Sequence, residues 1–297
     1  MKFVGTVPNG PLLAETGLCP ALQKISEVKF MERLQGMFNL SKSKSAIGVL
    51  SLLLLVSLAP SANAGKPGST PSLNGTLCKS FAGTWKAGKF GTCTIGGVSS
   101  TLKTFNIDAG DTLIIASLAT FINFNTTINN QGTIINLGTV NNDGGTIINN
   151  KTFANSGTIN SNASITNNNE MNNNGIINNN GVLTNNSNLS NSSVSSILNN
   201  RGNFTNRGNF TNYTTTNNYA NIYNYATINN VGTINNDSLG YILNDFSGGL
   251  ISNSGLISNS GITYNSGTIN NSGTITTSGS GELQSNSGTI NNTGTIN

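Results

Sequence analysis

Histidine is absent from all 297 residues. Chemistry that needs an imidazole base, acid or metal ligand is therefore excluded, the Ser–His–Asp arrangement included. Proline stops at Pro71, and the glycines keep no three-residue period, which excludes a collagen-like helix. Charge is scarce, with only 8% of residues Asp, Glu, Lys or Arg. Across 121–297 the charged residues reduce to Asp143, Lys151, Glu170, Arg201, Arg207, Asp237, Asp245 and Glu282. Acid–base chemistry is poorly supplied, and no catalytic residue, cofactor or metal ligand set is expected.

Asparagine fills the space. Of 54 Asn in the chain, 49 lie within 121–297, accompanied by Gly, Thr, Ser and Ile. These are poor helix formers, so a helical bundle or coiled coil is excluded. The formal net charge of +4 says little about partners. Residues 1–64 carry six basic and three acidic side chains, whereas 65–297 carry eight and seven, a net of +1 (8 − 7). Binding to nucleic acid needs a clustered basic surface and is not expected.

Residues 41–64 have the three parts of an export signal. Lys42 and Lys44 give a positive start, Ile47 to Ala59 an apolar run, and Ala62-Asn63-Ala64 a small-residue cleavage site. The run is short for a membrane span. Cleavage is expected between Ala64 and Gly65. The signal starts late, so 37–64 is read as the signal peptide beginning at Met37. Residues 1–36 are then a misplaced start or an N-terminal extension. The exported chain keeps Cys78 and Cys93, an even pair that suggests a disulfide. Secreted or extracellular localisation, with association at the cell surface, is expected.

From residue 128 an apolar side chain returns every six positions, as in Ile128, Ile134 and Val140, then Ile147, Phe153, Ile159, Ile165 and Met171. Two positions later stands Asn, as at Asn130, Asn136, Asn142, Asn218, Asn224, Asn230, Asn236, Asn265 and Asn271. Four positions later Gly is common. In a strand, residues two apart share a face, so the apolar residue and the Asn both point inward. Gly supplies a positive φ for a corner. Six residues then make one short strand and one corner. The expected fold is all-β: a single-stranded parallel β-helix, or β-solenoid, with an internal Asn ladder. Three hexads per turn give a triangular coil of about eighteen residues and two give a flatter coil of about twelve. Insertions at 143–145, 192–197, 237–242 and 276–282 are expected to bulge from corners.

Residues 65–76 read as a linker. Residues 77–127 hold the cysteines, Trp85 and alternating strands, and are read as an N-terminal cap merging into the first coils, since a solenoid needs its open end covered. Residues 128–297 form the hexapeptide-repeat solenoid.

The strings NSGTINNSGTIT at 265–276 and NSGTINNTGTIN at 286–297 resemble the GTINN-type repeats of secreted β-helix surface proteins. They are similar to repeat tracts of filamentous-haemagglutinin-type adhesins, and IDAGDTLII at 107–115 resembles the lead-in strand of such helices. The resemblance implies an extracellular structural or adhesive protein.

Asp108 and Asp111 are the one close acid pair ahead of the repeats and read as a turn between strands. Arg201 and Arg207, six apart, are candidates for an anionic glycan or plain solvated corners. Tyr213, Tyr219 and Tyr225 keep the same period in a phase that points outward or lies at a corner, and exposed tyrosine suits sugar or protein contact. Partners expected on these grounds are surface glycans or cell-envelope proteins. The last residues are still in repeat register, so the final coil presents an open strand edge for end-to-end self-association. Two other functions on this fold are a polysaccharide lyase or hydrolase, which needs clustered carboxylates, and an ice-binding solenoid, which needs a regular Thr array. Threonines such as Thr133, Thr139, Thr146 and Thr158 are regular only in stretches.

Overall fold

A computed structural model describes residues 70–285 and 287–297. The signal segment and the Ala64–Gly65 cleavage site lie outside the described residues. Apart from one six-residue helix, Gly75–Ser80, the described chain is strand and turn.

Alternation of inward and outward side chains produces strands of four residues, and each hexad adds one strand and one bend. The strands gather into three sheets of 10, 12 and 11 strands; Thr84–Lys86 pairs antiparallel with Thr92–Ile95 at one end, and every later strand pairs in parallel with the third one along the chain. Three hexads therefore make a turn, and the coil is triangular. One coil runs Thr127–Asn130 on the first face, Thr133–Asn136 on the second and Thr139–Asp143 on the third. Register is strict: Ile147 aligns with Ile128 and Ile165, and Asn149 with Asn130 and Asn167. The solenoid is a parallel β-helix of about eleven turns.

The core is a column of inward apolar residues. In the coil of Phe204 and Phe210 the third slot is small. Phe204 and Phe210 meet edge to face at 5.0 Å, and the next inward position is Thr216, whose hydroxyl donates to Asn212 Oδ1 at 3.0 Å. Thr216 is thus a volume match with a satisfied hydroxyl; at Thr263, another buried threonine in the apolar series, the hydroxyl donates to Asn259 Oδ1 at 3.1 Å.

Glycine serves the corners for a different reason than the one expected from sequence. Positive φ among the described glycines is confined to Gly110, Gly144, Gly248 and Gly279, none of them a regular repeat glycine. The repeat glycines are pressed against the coil beneath. A Cβ on Gly157 would stand 2.0 Å from the Gly138 carbonyl oxygen, and one on Gly202 the same distance from that of Gly181.

The N-terminal end is closed by the helix. Asn74 caps it, accepting from Leu77 N at 2.9 Å. Cys78 on the helix is disulfide-bonded to Cys93 in the strand Thr92–Ile95. Phe81, just past the helix, packs on Phe105 and Phe121 at 5.2 and 5.6 Å, plugging the first coil. Stacking begins well upstream of residue 128, since Thr92–Ile95 already pairs with Thr112–Ile115. Leu73 and Asn106 are hydrogen-bonded through their backbones, so the described chain is engaged with the coil from there.

Candidate binding face

The inward asparagines form three ladders, one under each face. Under the first face, Asn130 donates through Nδ2 to Asn149 Oδ1 at 2.7 Å, and the chain continues through Asn167, Asn185, Asn206, Asn224, Asn244 and Asn265. Under the second, Asn136 begins a series ending at Asn271 and Asn292. Under the third, Asn142 precedes a break, and Asn179, Asn200, Asn218, Asn236 and Asn259 follow in order. These amides are buried, save the terminal Asn292, which is exposed. Each Nδ2 also reaches a backbone carbonyl of the next coil, as Asn130 does to Thr152 O at 2.8 Å, and Asn230 to Leu256 O at 2.9 Å. Only an NH2 group can donate to a carbonyl, so this second bond fixes which way every amide points. Burial of so many polar groups is affordable because nearly all are paired.

Outside, the three corners carry the remaining chemistry. Residues six apart fall on successive corners, so Tyr213, Tyr219 and Tyr225 stand on three different ones, following Asn212, Asn218 and Asn224. The structure does not bring them together. It joins residues eighteen apart instead. The Arg201 guanidinium lies over the Tyr219 ring at 4.9 Å, and that of Arg207 over Tyr225 at 5.5 Å. One coil further, the same two corners carry Asp237 and Asp245. The two edges of the first face therefore read alike, coil by coil: Arg201, Tyr219, Asp237 on one and Arg207, Tyr225, Asp245 on the other.

Between these edges lie aromatic residues that hexad phasing alone did not single out. Tyr223 of Asn221–Asn224, Tyr241 of Tyr241–Asn244 and Tyr264 of Ile262–Asn265 sit on adjacent strands of the first face and point outward. The Tyr223 and Tyr241 rings are 6.5 Å apart. Burial, then the neighbouring Tyr223 and Tyr264 hydroxyls, push the Tyr241 hydroxyl above its ordinary value of 10.0. Leu243 and the exposed Ile262 complete the patch. Five of the six tyrosines, and two of the three arginines, belong to this face and its edges. The signal available in the sequence was an eighteen-residue spacing, Tyr223 to Tyr241, and it is then obscured by an insertion at 245–249.

The insertion expected at 237–242 is shorter in the structure, since Tyr241 and Ile242 already belong to the strand Tyr241–Asn244; the turn at 237–240 and the loop at 245–249 flank that strand and expose Leu239 and Phe246. A shallow groove lies beside one edge, lined by Asn217, Asn235, Tyr219 and Asp237. The acid pair seen in sequence is a turn: Asp111 N bonds Asp108 O at 2.9 Å, and the Asp111 carboxylate accepts from Gly91 N at 2.7 Å.

No protein-family model, curated protein or solved structure matches this chain.

Proposed function

We propose that this protein is a secreted or cell-surface solenoid with a structural or adhesive role and no enzymatic activity. The observation that carries the reading is the pairing of a rigid amide-laddered rod with one face on which aromatic and arginine residues are concentrated. Stacked backbone and side-chain hydrogen bonds suit a spacer that must hold its shape outside the cell. Guanidinium groups held on tyrosine rings keep their N–H edges outward, as recognition of an anionic surface glycan or an envelope protein requires. End-to-end association is part of the proposal.

Cell fractionation with N-terminal sequencing, and binding of the purified protein to arrays of envelope glycans, test this reading. Gly65 as first residue of an extracellular form supports it; a cytosolic protein with an intact N-terminus overturns it. A second reading, ice binding, is favoured by one file of threonines in register on the second face, Thr92, Thr112, Thr133 and Thr152. Glu170 ends that file. Thermal hysteresis in the purified protein would decide for it.

A further inference from the structure

The two edges of the first face share one order along the solenoid: arginine, then tyrosine, then aspartate. Such an order is complementary to its own reverse. We infer that this face docks on the same face of a second copy, with the two solenoids antiparallel and the two-fold axis running along the strand Asn221–Asn224. This goes beyond the proposed adhesive role and is lateral, not end to end.

The pairing follows from topology. A two-fold axis lying in the interface along a strand keeps each edge against its own counterpart and inverts the order of coils. Arg201 then faces Asp237 of the other copy and Asp237 faces Arg201, while Arg207 and Asp245 do the same on the other edge. Four opposite-charge pairs form and no like-charge pair. Tyr219, Tyr223 and Tyr225 occupy the coil on the axis, each facing itself, where offset aromatic stacking is available. Two coils out, Val182 faces Ile262. Both are exposed, at 41% each, and they are the exposed aliphatic strand residues of this face in the overlap. The other symmetric docking, with the axis along the solenoid, sets Arg201 against Arg207 and Asp237 against Asp245 and is excluded by repulsion.

The size is sufficient. Centred on Asn221–Asn224, the overlap spans the seven strands from Ser164–Asn167 to Glu282–Gln284. At about 4.8 Å per strand and a face about 20 Å wide, this covers roughly 670 Å2 per copy and roughly 1,300 Å2 in all, within the range of specific interfaces. Among the described residues neither arginine forms an ion pair, so both guanidinium groups are available to a second copy.

Sedimentation of the chain from Gly65 to Asn297 tests the inference. The wild type should be dimeric at micromolar concentrations and should loosen as salt rises. Arg201→Asp with Arg207→Asp should be monomeric, as should Asp237→Arg with Asp245→Arg. Mixing these two variants should restore a dimer containing one of each, because every edge is then acid against base. A symmetric cross-link gives an independent readout: Tyr223→Cys should form a disulfide-linked dimer on mild oxidation, and Asn229→Cys, on the second face, should not. A monomeric wild type, or dimerisation that the charge reversals leave unchanged, overturns the inference. So does a monomer that binds an acidic polysaccharide through Arg201 and Arg207.

Discussion

Asn179 stands directly above Ser161, and its Oδ1 is a buried acceptor without a donor. Elsewhere that oxygen takes an Nδ2 hydrogen from the asparagine one coil below. Ser161 is too short, and its hydroxyl turns to Ala163 O at 3.3 Å. The third ladder is broken at this one rung.

Ser161→Asn should therefore complete the ladder. An added amide would accept from Asn142 and donate to Asn179, as in neighbouring coils. The gain should be about 1 kcal/mol, the net worth of one internal hydrogen bond together with relief of an unpaired acceptor. Thermal unfolding should shift up by about 2–4 °C for a domain of this length. An unchanged or lowered midpoint would show that the site has no room for the amide.

Asn230→Asp and Asn229→Asp separate the inward phase from the outward one. The Asn230 Nδ2 donates to Asn253 Oδ1 at 2.7 Å and to Leu256 O at 2.9 Å. A carboxylate there sets acceptor against acceptor in a buried column, at a cost of about 3 kcal/mol or more. Asn229 is outward, and the same change should cost well under about 1 kcal/mol. Chemical denaturation of the two variants distinguishes them, and equal midpoints would refute the phase.

The Cys78–Cys93 bridge closes a separation of 15 residues, worth about 3 kcal/mol in the chain-entropy account. Because each coil touches only its neighbours, the loss on reduction should stay local. Hydrogen exchange should quicken in Gly75–Ser80 and Thr92–Ile95 and stay slow in the coils beyond Thr127. Uniform loss of protection would mean the solenoid unfolds as one unit.

Tyr241 predicts an alkaline signature. Burial and the adjacent Tyr223 and Tyr264 hydroxyls favour its neutral form. A folded-state value above the unfolded one gives stabilisation that is fully present below pH 10.0 and disappears as pH climbs through the raised value. Ultraviolet titration of the phenolates should show a late component, absent from Tyr241→Phe. Identical titration curves for the two proteins would contradict the clustering.

The repeat and its burial were legible because they are local. Ile at one slot and Asn two further on fix the inward face of every strand, whatever the coil size. The cysteine pair was legible for a similar reason, being two residues with few alternatives. What depends on coil length was not. Whether Arg201 meets Tyr213 or Tyr219 is decided by two or three hexads per turn, and the hexad itself does not contain that number. Tyr264 lies 23 residues from Tyr241, in a coil lengthened by the 245–249 loop, so the two share a face only once the loop is recognised. The corner glycines were found at the right places for the wrong reason, since crowding by a neighbouring coil leaves no mark in a single hexad.

All three buried files of amides donate in one direction, toward higher residue numbers, whereas an outward file on the third face runs back, Asn160 to Asn141, Asn178 to Asn160 and on to Asn235. Turning any one inner amide would break its bonds to both neighbours, so the files hold a common sense from coil to coil. Their small dipoles add along the axis, and the shorter outer files, which include Asn186 to Asn168 to Asn150 and Asn180 to Asn162, cancel only part of the sum. The solenoid is thus an electret, a body polarised along its length although its formal charges nearly balance. Two such bodies lying side by side lower their mutual energy when they point in opposite senses.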